Sequence, residues 1–299
     1  LTNFLIPDSF PLSNKRIKGK LEDKRKKTDK GEKMEKAKIG DIEIAYCVHG
    51  EGEPLILIGG FTMVKESWGL QVKGLSNSFM VITFDNRGVG DTKYPPGPFT
   101  ISDMAGDTVA LMNFLKIDSA HIFGVSMGGL IAQMIALDYP DRVRKLILGC
   151  TTHGGRHAVQ PEKETMELLA SASDPMISPE RAVRMRAPIL FSERFIKEEP
   201  ERLEEFLQLS IKYWPTPEGA QRQIGALSVF NVKKRLGEIK CPVLVITGKE
   251  DRMMPPVNSK LLAEAIPGAR LYMVEGAGHS FFLEKPEEVN RIIMDFLKN

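Results

Sequence analysis

The chain has 299 residues, 42% hydrophobic and 27% charged, close to the soluble globular average, which excludes wholesale disorder and a fibrous repeat. No stretch approaches the roughly 18 uninterrupted apolar residues of a spanning helix; three widely spaced cysteines, Cys47, Cys150 and Cys241, form no disulfide framework and point to a reducing, cytoplasmic compartment. The formal charge of +2 hides an asymmetry: residues 1–38 hold 12 Lys/Arg against 6 Asp/Glu, the remainder 29 against 33, so the mildly acidic body gives no basic face for nucleic acid.

Residues 1–38 are read as a disordered basic tail, because the lysine-rich stretch 11–38 has too little apolar surface to offset its ordering entropy. Its opening LTNFLIPDSFPL is no secretory signal, since Pro7, Asp8 and Pro11 interrupt any apolar core. A basic arm for anionic partners is one reading of the tail. The other, preferred, is upstream sequence outside the folded unit, with translation starting at Met34.

From Ile39 onward, strand-like runs alternate with helical patterns. The expected strands are 42–48, 55–59, 80–85, 120–125, 145–151, 242–248 and 269–275. Five are nearly continuous apolar runs, the pattern of strands covered on both faces of a parallel sheet. Residues 42–48 instead alternate, which together with the turn Gly50-Glu51-Gly52-Glu53 predicts an antiparallel edge hairpin. Thr100 and Asp103 predict a capping box ahead of a helix carrying Met104, Thr108, Leu111, Met112 and Leu115 on one face. A second helix follows Ser126 and ends before Pro140; a third begins at Pro286. Residues 152–236 contain no convincing strand, only helical patterns punctuated by seven prolines. They are read as an inserted helical cap, with 39–151 and 237–299 forming one α/β core.

The chemistry gathers at the ends of strands. Gly124-Val125-Ser126-Met127-Gly128-Gly129 lies between an apolar strand and an amphipathic helix. A strand-to-helix turn this tight strains its central residue, needs small neighbours and presents the serine hydroxyl over a helix N-terminus. A serine nucleophile needs a general base. Of the five histidines, His49 and His121 read as structural. His153 and His157 are four apart, as metal ligands on a helix would be, but Gly154 and Gly155 between them argue against that helix, and no metal is expected. His279 lies in Gly276-Ala277-Gly278-His279-Ser280, between the last strand and the last helix, at the same carboxyl edge as Ser126. The acid that orients it is Asp251, in Gly248-Lys249-Glu250-Asp251, with Glu250 and Glu275 as competitors.

The chain order Ser126, Asp251, His279, the elbow and the helical insertion resemble the α/β-hydrolase superfamily over residues 39–299. Phe84-Asp85-Asn86-Arg87-Gly88-Val89-Gly90, Gly59-Gly60-Phe61 and Tyr139-Pro140-Asp141-Arg142-Val143 are similar to its capped branch of carboxylesterases, enol-lactonases, carbon–carbon bond hydrolases and cofactor-free haloperoxidases. Members often carry His-Gly where this chain has Gly59-Gly60. The resemblance implies an α/β-hydrolase fold, a mostly parallel sheet flanked by helices, and an oxyanion hole from the backbone amides of Phe61 and Met127. It also implies acyl transfer on carboxylic esters or lactones without cofactor. Cleavage of a carbon–carbon bond, perhydrolysis by the same serine, and a ligand receptor reusing the fold remain alternatives. Among the insertion's apolar residues, Phe191 and Trp214 are expected to contact substrate. Its arginines, Arg156, Arg181, Arg184, Arg186 and Arg194, read either as a solvated face or as partners of a substrate carboxylate.

Overall fold

The computed structural model describes residues 34–174 and 176–299; the basic tail up to residue 33 and Pro175 lie outside them. Eight strands among the described residues form one sheet: β1 (Glu35–Ile39), β2 (Ile42–His49), β3 (Glu53–Ile58), β4 (Phe79–Phe84), β5 (Ala120–Val125), β6 (Val143–Gly149), β7 (Val243–Gly248) and β8 (Arg270–Val274). Their order is β1-β2-β4-β3-β5-β6-β7-β8, with β1–β2 and β2–β4 antiparallel and every other pairing parallel. The apolar runs behave as strands covered on both faces: Leu55, Ile56, Leu57 and Ile58 are at most 1% exposed. At the outer edge β8 opens to solvent, with Leu271 and Tyr272 exposed.

Two expectations at the N-terminal side need correction. The folded body begins four residues earlier than residue 39, because Glu35–Ile39 pairs with β2 along its whole length. Ala37 is buried and the Tyr46 hydroxyl donates to Glu35 at 2.7 Å, so alternate residues of this lysine-rich strand find a dry partner. The predicted hairpin of 42–48 through the 50–53 turn does not form either, because β4 lies between β2 and β3. The glycines there serve a close crossing. Gly50 has φ +73, and a Cβ on it would lie 2.0 Å from the Ser76 carbonyl oxygen and 2.8 Å from that of Phe79.

Helices α1 (Gly69–Leu75), α2 (Ile101–Phe114) and α3 (Met127–Asp138) belong to the first part of the core. Residues 65–75, a 3-10 turn running into α1, carry no clear sequence signal, although Trp68 within them is fully buried. The Thr100 capping box forms as read: its hydroxyl accepts from the Asp103 amide at 3.2 Å, and the Asp103 carboxylate accepts from the Thr100 amide at 2.7 Å. Between β6 and β7 run α4 (Lys163–Ser171), α5 (Pro179–Leu190), α6 (Glu193–Glu198), α7 (Pro200–Lys212) and α8 (Pro217–Ser228). Proline opens α5, α7 and α8 at the first helical turn, where its missing N–H costs nothing. After β7 come α9 (Val257–Ala265), the single turn α10 (Phe281–Glu284) and α11 (Pro286–Lys298).

The core is divided by the sheet. α2, α3 and α9 supply one cluster, including Met104, Leu111, Ile131, Ile135 and Leu262. α1 and α11 supply the other, which the insertion joins through Val183, Phe191, Phe195, Leu203 and Leu207. Burying each such side chain contributes about 1.5–3 kcal/mol, which ties the insertion firmly to the sheet. Among the described residues no disulfide joins the three cysteines, and no helix is long and apolar enough to cross a membrane.

Candidate active site

Ser126 sits between β5 and α3 with φ 53 and ψ −119, a conformation few non-glycine residues adopt. Two glycines make that turn possible. A Cβ on Gly124 would lie 2.1 Å from the Gly128 carbonyl oxygen, and one on Gly128 would lie 2.1 Å from that of Ile58. The strained backbone is tied to β6: the Ser126 amide donates to Gly149 at 2.8 Å, and the Thr151 hydroxyl donates to the Ser126 carbonyl at 2.7 Å. Val125 and Met127 are buried on either side while Ser126 stays partly open to a cavity.

His279 lines the same cavity. Its Nδ1 lies 2.8 Å from Oδ2 of Asp251, and both groups are buried. The other Asp251 oxygen accepts from the Met254 amide at 2.7 Å, which orients the carboxylate. The competing acids lie elsewhere: Glu250 is exposed, and Glu275 faces solvent in an ion pair with Lys249 at 2.7 Å. Burial works to lower the His279 pKa, yet the adjacent Asp251 carboxylate, with Cys150 beside the ring, outweighs it and holds the imidazole well above its ordinary 6.5. The Ser126 hydroxyl makes no hydrogen bond to the ring in this structure; such bonds commonly tighten only once substrate is bound.

The loop bearing His279 is pinned by a residue the sequence reading missed. Buried Glu284 accepts from the Gly278 amide at 2.8 Å and from the Ser192 hydroxyl at 2.5 Å, joining the loop to the insertion. Gly278 is needed at that junction, because a Cβ would meet the Phe191 and Ser192 backbone at 3.0 Å.

The turn after β3 faces the elbow. A Cβ on Gly60 would lie 3.1 Å from the Ser126 Cβ, so glycine sets how closely the two approach. Among the described residues no acceptor takes the amide of Phe61 or of Met127. For Met127, the first residue of α3, that is the ordinary condition of a helix N-terminus. The turn's shape is held from outside. The Asn86 side chain donates to the Gly59 carbonyl at 3.0 Å, and Gln223 of α8 accepts from the Thr62 amide at 3.0 Å while donating to the Arg87 carbonyl at 2.7 Å. Asn86 lay within a quoted motif; Gln223, fully buried and 161 residues from Thr62, had no signal at all.

The cavity, of about 200 Å³, is mostly apolar. Four non-glycine residues among those described have positive φ, and three of them, Thr62, Ser126 and Cys150, line it. Both Phe191 and Trp214 line it as well, as do Met63, Leu169, Phe206 and Phe282. Met166 and Met176 of the insertion face solvent instead. His153 is buried beside the Gly154 carbonyl, and His157 lies exposed beside Arg156, in irregular backbone. Three buried donors do cluster, Cys150, Asp251 and His279, with ligand atoms within 4.8 Å of one another. Burial pushes the Cys150 thiol up, so it is neutral at ordinary pH.

The alpha/beta hydrolase family matches residues 47–292, most of the chain and all three of these groups. The chain belongs to the alpha/beta hydrolase family. A protein of Azorhizobium caulinodans named "Putative carbamate hydrolase RutD" is 31% identical over 261 residues, covering 86% of this chain and 96% of that one. The crystal structure of the enol-lactonase from Burkholderia xenovorans LB400 superposes with a TM-score of 0.78 at 28% identity, covering 89% of this chain and 100% of that one. A thermophilic esterase from Thermogutta terrifontis, solved with malate bound, gives 0.77 at 29% identity, covering 89% and 98%. In this alpha/beta hydrolase the mostly parallel sheet brings Ser126, Asp251 and His279 to one edge from three segments separated by 125 and 28 residues.

Proposed function

We propose that this hydrolase cleaves carboxylic esters or lactones through an acyl-enzyme on Ser126. The observation that carries the reading is the buried His279–Asp251 pair, 2.8 Å apart, opening on the same cavity as a serine held at φ 53. His279 Nε2 takes the proton as Ser126 Oγ bonds to the substrate carbonyl carbon. Asp251 keeps the other ring proton on Nδ1 and stabilises the imidazolium. The negative charge that develops on the carbonyl oxygen meets the amides of Phe61 and Met127, donors fixed before reaction and each worth about 100- to 1000-fold in rate. Collapse of the intermediate breaks the bond to the alcohol, which leaves with the proton from His279. Water then gives a proton to the same nitrogen as its oxygen bonds to the acyl carbon, and collapse breaks the bond to Ser126 Oγ, which takes that proton back as the acid leaves.

Helices α4–α8 act as a cap in this reading, since Leu169, Leu190, Phe206 and Trp214 wall the cavity away from solvent. The esterase and enol-lactonase among the similar structures support ester or lactone substrates. A carbamate, for which the Azorhizobium protein is named, offers the same carbonyl to the same groups.

Ser126→Ala tests the proposal. It is expected to lower turnover of 4-nitrophenyl butyrate by about 1000-fold or more with an unchanged melting temperature. Equal rates for variant and parent overturn the assignment.

A further inference from the structure

One lining residue of the cavity does not fit the apolar wall. Arg186, on α5, carries the one permanent charge among the lining residues described. Guanidinium does not shed its proton in proteins, so this charge stays whatever surrounds it. Three other arginines of the insertion have carboxylate partners: Arg184 reaches Glu204 at 2.9 Å, Arg194 reaches Glu198 at 2.8 Å, and Arg222 meets Glu218. Among the described residues Arg186 has none within 4.0 Å.

Its existing contacts leave a definite remainder. Nη2 donates to the Ala172 carbonyl at 3.1 Å and to the Ser173 hydroxyl at 3.4 Å, two neutral oxygens at the end of α4. A guanidinium has five donors, so those on Nε and Nη1 remain for another acceptor. The group cannot swing away freely, because it lies over the Trp214 ring at 5.2 Å. The result is a held, half-buried cation with spare donors on the wall of the cavity that Ser126 and His279 also line. Desolvating a cation without a counter-charge is costly, and a bound anion would offset that cost.

We propose that Arg186 anchors a carboxylate on the substrate, so that the preferred esters or lactones carry a second, anionic carboxylate on the acyl side. This rests on the reading of Ser126 as the acylated residue. Leu169, Leu209 and Trp214 of the same cavity offer apolar surface to the acyl chain of such a substrate.

The test compares mono(4-nitrophenyl) glutarate with neutral 4-nitrophenyl butyrate in the parent, Arg186→Met and Arg186→Lys. The charged-to-neutral ratio of kcat/KM within one protein is independent of how much of that protein is folded. In Arg186→Met the ratio is expected to fall about tenfold or more, the weight of one charge-assisted hydrogen bond, with partial recovery in Arg186→Lys. A ratio unchanged within twofold overturns the anchor. Calorimetric binding of glutarate to Ser126→Ala, with and without Arg186→Met, needs no turnover. A Kd weakened about tenfold by the second substitution supports the anchor, and equal Kd values overturn it. If neither ester turns over in the parent while glutarate affinity still depends on Arg186, the serine reading fails and the anchor stands.

Discussion

The elbow at Ser126 and the inserted helices wall the same cavity but are built in different ways. At the elbow, backbone meets backbone: Gly124 against Gly128, and Gly128 against Ile58. There the geometry depends on the absence of side chains, and the residues that matter lie close in sequence or in quoted motifs. In the insertion, side chain meets side chain. Phe191, Phe195 and Phe206 stack with ring centroids 5.4–6.4 Å apart, and single polar groups such as Gln223 and Ser192 reach across to the core. A site with a rigid chemical floor and a side-chain roof can change its substrate by altering the roof alone.

The largest expected contrast comes from adding one methyl group to a glycine. Gly124→Ala places a Cβ against the Gly128 carbonyl, where neither backbone has room to move. It is expected to cost about 3 kcal/mol, a fall in Tm of roughly 6–12 °C, read by a thermal melt. A variant with parental Tm would show that the elbow is not backbone-limited.

The pH dependence follows next in size and tests the floor alone. Because Asp251 raises the His279 pKa, kcat/KM for a neutral ester is expected to rise about tenfold per pH unit up to that value, with the limb lying above 6.5. The base works only when unprotonated, hence the sign. Stability runs the opposite way. The charged imidazole's pairing with Asp251 stabilises the fold fully below the unfolded value of 6.5, and that contribution is lost as pH rises through the folded value. Activity and melting temperature measured across one pH series are therefore expected to cross. A limb centred at or below 6.5 would show that burial, rather than the Asp251 carboxylate, dominates the titration of His279.

The smallest effect is the mirror of the first. Gly225, in α8 of the insertion, has nothing within 4 Å of an added Cβ. Gly225→Ala is expected to stabilise by about 0.5–1 kcal/mol through helix propensity, with no change in ester kinetics. A destabilised variant would mean that the roof is packed as tightly as the elbow.

Legibility in the sequence divides along the same line. The strands that became β3–β7 stood out because double-sided burial demands unbroken apolar runs. The Thr100 cap and the Pro286 start stood out because helix ends need particular atoms within three residues. The β1 strand was hidden: Glu35 and Lys36 look like tail, and only Ala37 and the partner strand β2 make the segment worth ordering. The hairpin error has the same origin, since alternation shows that one face is covered but never which strand lies alongside.

What the sequence by itself determined was the elbow at Ser126 and the candidate groups that the fold brings beside it, because a strained turn and its glycines are local requirements written in consecutive residues. The tertiary structure alone decided that Glu284 fixes the His279 loop, that Gln223 shapes the Phe61 turn, and that Arg186 lines the cavity with no carboxylate beside it. Each of those depends on which distant side chains share a dry space, and burial and pairing are properties of proximity that no spacing along the chain encodes.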